Sequence, residues 1–113
     1  MSDTAIPTET WPLAQQPLTV DIRLAGGVFV KSTHIHKAGT LIEQHRHAYA
    51  HVSAITMGAV RVWKDGAPFG DHIAPALLTI EAGVSHTFQA LTDSVVVLCI
   101  HAVADGEQVE LEG

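Results

Sequence analysis

From Leu18 onward, apolar and polar residues alternate in short segments that are separated by turn residues. Alternation with a period of two is typical of strands that bury one face, and the frequent valine, isoleucine and threonine favour strands further. Pairs that form turns, among them Gly26-Gly27, Asp65-Gly66 and Gly70-Asp71, punctuate the segments. The predicted strands are LTVDIRL, VFVKSTHIH, TLIEQH, AHVSAITM, AVRVW, LLTIE, SHTFQAL and SVVVLCIHAV.

The pattern predicts an all-β fold, because no long segment has the apolar spacing of an amphipathic helix. About eight or nine short strands favour a sandwich or a small barrel, since both protect the sheet edges. Residues 1–17 contain Pro7, Pro12 and Pro17, which predicts an extended N-terminal arm that can cross to a second subunit. Residues 18–113 are predicted to form one barrel domain.

Composition narrows the function classes. The 113 residues are 47% hydrophobic, which is enough to form one core. The net charge is -6 and there are only six Lys or Arg, so the chain has no basic surface stripe that could bind nucleic acid. The polar, acidic N-terminus lacks the features of a signal peptide, and the longest apolar stretch, residues 94–104, is too short to span a membrane. With Cys99 as the single cysteine, we expect a cytoplasmic protein that binds neither nucleic acid nor membrane.

Histidine is the unusual component: there are eight, all between positions 34 and 101. His45 and His47 are spaced so that, on a strand, both side chains leave the same face and can converge on one ion. A tight connection can bring His51 alongside them from the next strand, and His86 lies on the segment SHTFQAL, where it shares a face with Phe88. These four histidines are therefore the predicted metal ligands.

At these residues the sequence resembles the cupin superfamily, whose first motif is G-x5-H-x-H-x3-E-x6-G. The residues that fit this motif are Gly39, His45, His47 and Gly58. His51 stands at the position of the usual glutamate, as in the small four-histidine cupins. The second motif, P-x-G-x2-H-x3-N, is matched only at Gly83 and His86, since Glu81 and Ala90 replace the proline and the asparagine.

The resemblance implies a single-domain cupin, that is, a double-stranded β-helix or jelly-roll barrel. It also implies a homodimer and one divalent transition-metal ion held by four histidines. Neutral imidazoles suit Fe, Mn, Ni, Cu, Co or Zn better than Mg or Ca, which prefer oxygen ligands. Without a carboxylate ligand, the ion keeps its full double charge and should attract an anionic ligand.

Several functions remain open. A six-coordinate ion with four histidine ligands leaves two positions for a small organic substrate, or for substrate and dioxygen together, which favours dioxygenase-type oxidative cleavage. The same site could polarise a carbonyl group for an isomerase or a lyase. The barrel could instead be a non-catalytic binding or sensor module, and four histidines could also close a tetrahedral structural zinc site.

Candidates for catalysis come from strands next to the ligands. Glu43 lies two residues before His45, so on a strand both side chains leave the same face. Glu43 is either a general base or a hydrogen-bond acceptor for a metal ligand near the ion, or it is a solvated carboxylate at the barrel rim. His34 and His36 form a second H-x-H pair that serves either as a proton relay or as polar positions on the barrel wall.

Candidates for the pocket are aromatic. Phe88 is the strongest, because it follows His86 on the same face, and Tyr49 and Trp63 are further candidates, although aromatic residues in small barrels are more often core. His72 is predicted to be exposed in a hairpin. His101 faces either the cavity or a subunit interface.

Overall fold

The computed structural model describes residues 18–44 and 46–103, apart from the side chains of Glu43 and Gln44. The predicted arm at residues 1–17 and the end of the predicted domain at 104–113 lie outside this part. The strands of the described residues are β1 (Leu18–Ala25), β2 (Val28–Ile35), β3 (Leu41–Gln44), β4 (His51–Met57), β5 (Ala59–Lys64), β6 (Ala67–Ile73), β7 (Ala76–Ile80), β8 (His86–Ala90) and β9 (Val95–Ala102).

These strands form two antiparallel sheets. The five-stranded sheet has the order β1-β2-β9-β4-β7, and the four-stranded sheet has the order β3-β8-β5-β6. β9 therefore lies between β2 and β4 and is paired along both edges. The prediction of an all-β barrel is confirmed. No helix in the described part of the chain is long and apolar enough to cross a membrane.

The core lies between the inner faces of the two sheets, as the period-two alternation predicts. On β8, His86, Phe88 and Ala90 are buried while the residues between them are only half-buried. β9 shows the same alternation. The largest apolar cluster comprises Ile35, Ile55, Val60, Val62, Leu78, Phe88, Ala90, Val95, Val97 and Cys99. Three of the buried positions near strand ends are histidines. His51 and His86 are the first residues of β4 and β8, and His101 is the last buried residue of β9.

One strand was not predicted. β6 contains Pro68 and Gly70, and the sequence predicts a turn at Gly70-Asp71 instead. In the structure the turn is at Asp65-Gly66, and β6 pairs with β5 as an edge strand whose register shifts at Val62 and Trp63. An edge strand with a bulge tolerates both proline and a glycine of positive φ, here +98°.

Gly58, which matches the last glycine of the cupin motif, joins β4 to β5 with a φ of +80°. A Cβ atom at this position would lie 2.7 Å from Thr92 Oγ1 and 2.8 Å from Val95 Cγ2. The Thr92 hydroxyl in turn accepts a hydrogen bond from the backbone N–H of Ala59. Glycine is therefore required here both by conformation and by space.

The outer face of the five-stranded sheet is largely apolar over β9, β4 and β7. Leu77, Val52 and Met57 are exposed there, and they flank half-buried side chains on β9. Rows of this face follow the strand register, for example Leu77, Ala54 and Leu98. An apolar patch of this kind is typical of a surface that a partner covers.

Candidate metal centre

Three of the predicted ligands, His47, His51 and His86, meet between the two sheets. His51 is the first residue of β4 and His86 is the first residue of β8, so the two come from opposite sheets. Their side chains, with that of His47, are 5%, 1% and 4% exposed, respectively. Ring centres are 5.0 Å apart for His51 and His86, 5.6 Å for His47 and His51, and 6.1 Å for His47 and His86.

His47 reaches the cluster from a connection and not from a strand. The sequence suggested that His45 and His47 leave one face of a strand, but β3 ends at Gln44 and His47 lies in the irregular residues 46–50. The carbonyl of His47 accepts a hydrogen bond of 2.7 Å from the backbone N–H of Gly83. This bond joins the connection to the turn before β8, so the segments that carry the two motifs are held together.

His45 lies outside the described residues, so its part in the ligand set stays a prediction. The same holds for the role of Glu43, whose side chain is not described. The backbone register of β3 pairs Glu43 with Thr87 and Gln44 with His86.

Burial keeps the imidazoles of His51 and His86 neutral. Loss of solvation, followed by the charges of His86, His47 and His101, lowers the pKa of His51 from 6.5 to about 4. Burial likewise lowers the pKa of His86 to about 4, against a hydrogen bond with the backbone of Val84 that favours its charged form. Because metal ligation requires the unprotonated nitrogen, both rings are in the form that binds a metal at neutral pH.

The residues present fit a transition-metal ion. Both ring nitrogens of His51 are buried without a hydrogen-bond partner. Such a group is rare in a protein interior, and an ion would use one of its lone pairs. Borderline and soft divalent metals prefer imidazole nitrogen, and His51 has two imidazole neighbours.

The cluster is nevertheless not closed around an ion. Among the residues that the structure describes, no three His, Cys, Asp or Glu side chains have metal-binding geometry. Two imidazoles on one ion, with bonds of about 2.1 Å, have ring centres roughly 4.5–6.5 Å apart, depending on the angle between the bonds. The three separations in the cluster, 5.0, 5.6 and 6.1 Å, lie within this range. The rings are therefore close enough to share an ion, although their orientations are not those of a formed site.

Aromatic rings continue the cluster on one side. Tyr49 stacks on His47 with ring centres 4.8 Å apart and on His101 with centres 3.8 Å apart. His101 is buried and also contacts Phe29. The sequence predicts that His101 faces either the cavity or a subunit interface. His101 alternates in step with the buried Val97 and Cys99 on β9, and this pattern indicates that its side chain points inward.

Phe88 lies beside the cluster and belongs to the apolar core, so its role in a pocket stays a prediction. Its ring is fully buried and meets the His86 ring edge-on, with centres 5.6 Å apart. On the opposite sheet, the Ser53 hydroxyl and the Cys99 thiol lie 3.7 Å apart. Ser53 is two residues from His51 along β4, and Cys99 is two residues from His101 along β9. The surroundings of the histidines are therefore mostly apolar, with a few polar groups on one wall.

The structure does not bring His34 and His36 to this site. On β2 the buried, inward positions are Thr33 and Ile35, so His34 lies on the outer face and His36 follows the strand end. The two rings contact each other with centres 4.3 Å apart, and His36 Nε2 is 2.7 Å from the hydroxyl of Thr19. Their position corrects the idea of a relay near the ion and agrees with polar positions on the barrel wall.

Trp63 and His72 also lie away from the histidine cluster. Trp63 is half-buried and alternates with the fully buried Val62, so it belongs to the outer face of the four-stranded sheet and not to the pocket. His72 is part of β6, where its ring stacks on Phe69. Of the three predicted pocket residues, Phe88 and Tyr49 are at the site.

Two facing antiparallel sheets with this strand order define a jelly-roll barrel. No protein-family model and no curated protein matches the sequence. Solved structures do match the fold. The cupin domain of Cnp3 from Schizosaccharomyces pombe has a TM-score of 0.67 at 12% identity, over 80% of this chain and 68% of that chain. A cupin superfamily protein from Desulfitobacterium hafniense has a TM-score of 0.66 at 12% identity, over 90% and 97%.

A third similar structure is KdgF from a Halomonas species, with a TM-score of 0.65 at 15% identity, over 84% of this chain and 87% of that chain. The chain therefore has the cupin fold. At these identities the similarity extends to the fold alone, and function must be argued from the site.

Proposed function

We propose that this chain is a metal-binding cupin in which His45, His47, His51 and His86 hold one divalent transition-metal ion. The observation that carries the proposal is the buried cluster of three imidazoles, in which His51 has two nitrogens without a hydrogen-bond partner. Desolvating these nitrogens without any partner would be costly, and a metal ion removes that cost for one of them. Fe, Mn, Ni, Cu, Co and Zn all suit this donor set.

The protein is proposed to be an enzyme that acts on a small organic substrate, with dioxygenase-type oxidative cleavage as the leading reaction. When bound, the ion supplies Lewis acidity and, if it is redox-active, electron transfer to dioxygen. The chain itself contributes a ligand set of neutral imidazoles without a carboxylate, which leaves the ion its full charge and favours an anionic substrate. It also contributes a dry wall beside His86, formed by Phe88, that excludes water from one side of the site.

Two other functions use the same site. An isomerase or a lyase would need the ion only to polarise a carbonyl group, and its turnover would be indifferent to oxygen. A non-catalytic binding or sensor cupin would bind a small ligand without turnover. Oxygen uptake and product formation, measured with and without substrate candidates, separate these functions.

We also propose a homodimer. The apolar outer face of the five-stranded sheet, with Leu77, Val52 and Met57 exposed, supports this assembly, because a surface of this kind is stabilised when it is covered. Closed two-fold dimers are the commonest assemblies of soluble proteins.

The first test is elemental analysis of untagged protein purified without chelators and with metals supplied in balanced amounts. The wild type is compared with His51→Ala and with His72→Ala, which removes an imidazole from β6 at the edge of the four-stranded sheet. One metal per chain in the wild type and in His72→Ala, with loss in His51→Ala, is the expected result. Negligible metal in all three proteins would refute the metal site, and equal metal in all three would place it elsewhere.

A further inference from the structure

His47 is the candidate ligand with the least support from its own backbone. β3 ends at Gln44 and β4 begins at His51, and residues 46–50 between them form bends and irregular chain. The hydrogen bond from Gly83 to the His47 carbonyl holds the backbone at one point. It does not determine where the imidazole points, although a ligand must be held within a fraction of an ångström to bind well.

The ring of Tyr49 supplies a constraint on the orientation of the His47 imidazole. Its plane lies within 11° of the His47 ring and within 17° of the His101 ring, at centre separations of 4.8 and 3.8 Å. One face of a phenol ring is too small to hold two imidazoles at these separations. His47 and His101 therefore lie on opposite faces of Tyr49, and the three rings form a column.

The far end of the column is anchored on a strand that is paired along both of its edges. His101 belongs to β9, which pairs with β2 on one side and with β4 on the other. The His101 ring is buried and contacts Phe29, its direct partner on β2, with ring centres 5.3 Å apart. A chain of ring contacts thus runs from the paired centre of the sheet to a histidine on an irregular connection.

We infer that Tyr49 and His101 are positioning residues that hold the His47 imidazole at the metal site by ring stacking. The metal part of this inference rests on the proposed function, whereas the stacking part concerns the metal-free protein. Residues that orient metal ligands are a recognised determinant of affinity, and losing one typically weakens binding about 10- to 100-fold. Stacking needs the ring of Tyr49 and not its hydroxyl, which makes the inference testable with a conservative variant.

The metal arm measures the dissociation constant for Co²⁺ and for Zn²⁺ by competition with a chromophoric chelator. Tyr49→Ala and His101→Ala are expected to weaken binding about 10-fold or more, while Tyr49→Phe restores it to within roughly 3-fold of the wild type. His101→Phe, which keeps a ring on β9, should recover most of the affinity. His72→Ala, which removes an imidazole from the stack on Phe69, is the matched control and should bind as the wild type does.

The second arm measures amide hydrogen exchange at residues 46–50 in metal-free protein, with far-UV circular dichroism to show that each variant is folded. Exchange should be faster in Tyr49→Ala than in the wild type and unchanged in Tyr49→Phe. Wild-type affinity and exchange in Tyr49→Ala would overturn the inference, as would a Tyr49→Phe variant as impaired as Tyr49→Ala. If the wild type binds no metal, the proposed function fails, and the exchange comparison alone decides whether the stack orders the connection.

Discussion

Acid should destabilise the metal-free protein in a pH range set by its buried histidines. The pKa of His51 and that of His86 are each about 4 in the folded protein, against 6.5 for an ordinary histidine. Between these values the unfolded chain binds more protons, so stability falls as the pH falls. Between pH 7 and pH 5 this costs about 2 kcal/mol per histidine, or about 3–4 kcal/mol for the pair. A domain of this size has about 5–15 kcal/mol in total.

The measurement is urea unfolding at pH 7, 6 and 5 with a chelator present. His51→Asn removes one of the two groups and should roughly halve the loss of free energy between pH 7 and pH 5. Hydrogen bonds from Arg61, and then its charge, lower the pKa of Asp71, and hydrogen bonds from the backbone and from Lys64 lower that of Glu81. These carboxylates lose their contribution to stability only below their ordinary pKa values of 3.8 and 4.5. A free energy of unfolding that is equal at pH 7 and pH 5 would refute the reasoning.

Three further predictions concern the fold and the assembly. Gly58→Ala should lower the free energy of unfolding in urea by about 1–3 kcal/mol more than Gly66→Ala does. The two glycines have similar φ, but of the two only Gly58 has close neighbours, so equal losses would contradict the close packing. Leu77→Glu should shift the protein from dimer to monomer in light scattering. Ile73 is about as exposed as Leu77 but lies on the other sheet, so Ile73→Glu should leave the dimer intact. A wild-type protein that is monomeric would exclude the dimer. Phe88→Ala should cost about 3–5 kcal/mol in thermal unfolding, and a loss below about 1 kcal/mol would show that its site collapses without strain.

The fold was largely predictable because most strands alternate cleanly. On β8 and β9 every second side chain is buried, and this pattern is visible in SHTFQAL and SVVVLCIHAV. β6 was not predictable, because nearly all of its residues are exposed and its proline and glycine are local signals against a strand. Pairing with β5 overrides those signals, and pairing between distant residues leaves no trace in local sequence.

The candidate site was predictable in its residues but not in its construction. Motif spacing indicated that His47, His51 and His86 come together, and they do. It did not reveal that His47 stands on a connection or that Tyr49 and His101 support it, since ring stacking depends on the path of an irregular segment. The sequence also did not show which way the side chain of His34 points. β2 carries apolar residues on both faces, so alternation alone does not identify the inward face.

The position of β9 has a consequence for how the protein is made. β9 is the last of the described strands in the sequence, yet it fills the gap between β2 and β4 in the middle of the five-stranded sheet. During synthesis on the ribosome, both of those strands keep an unpaired edge until residues 95–102 emerge. A nascent chain that stalls after β8 keeps two open strand edges and lacks His101, one of the two histidines on which Tyr49 stacks. Such a chain is expected to be recognised by chaperones and proteases, and the column of rings beside the histidine cluster is completed only when β9 has paired.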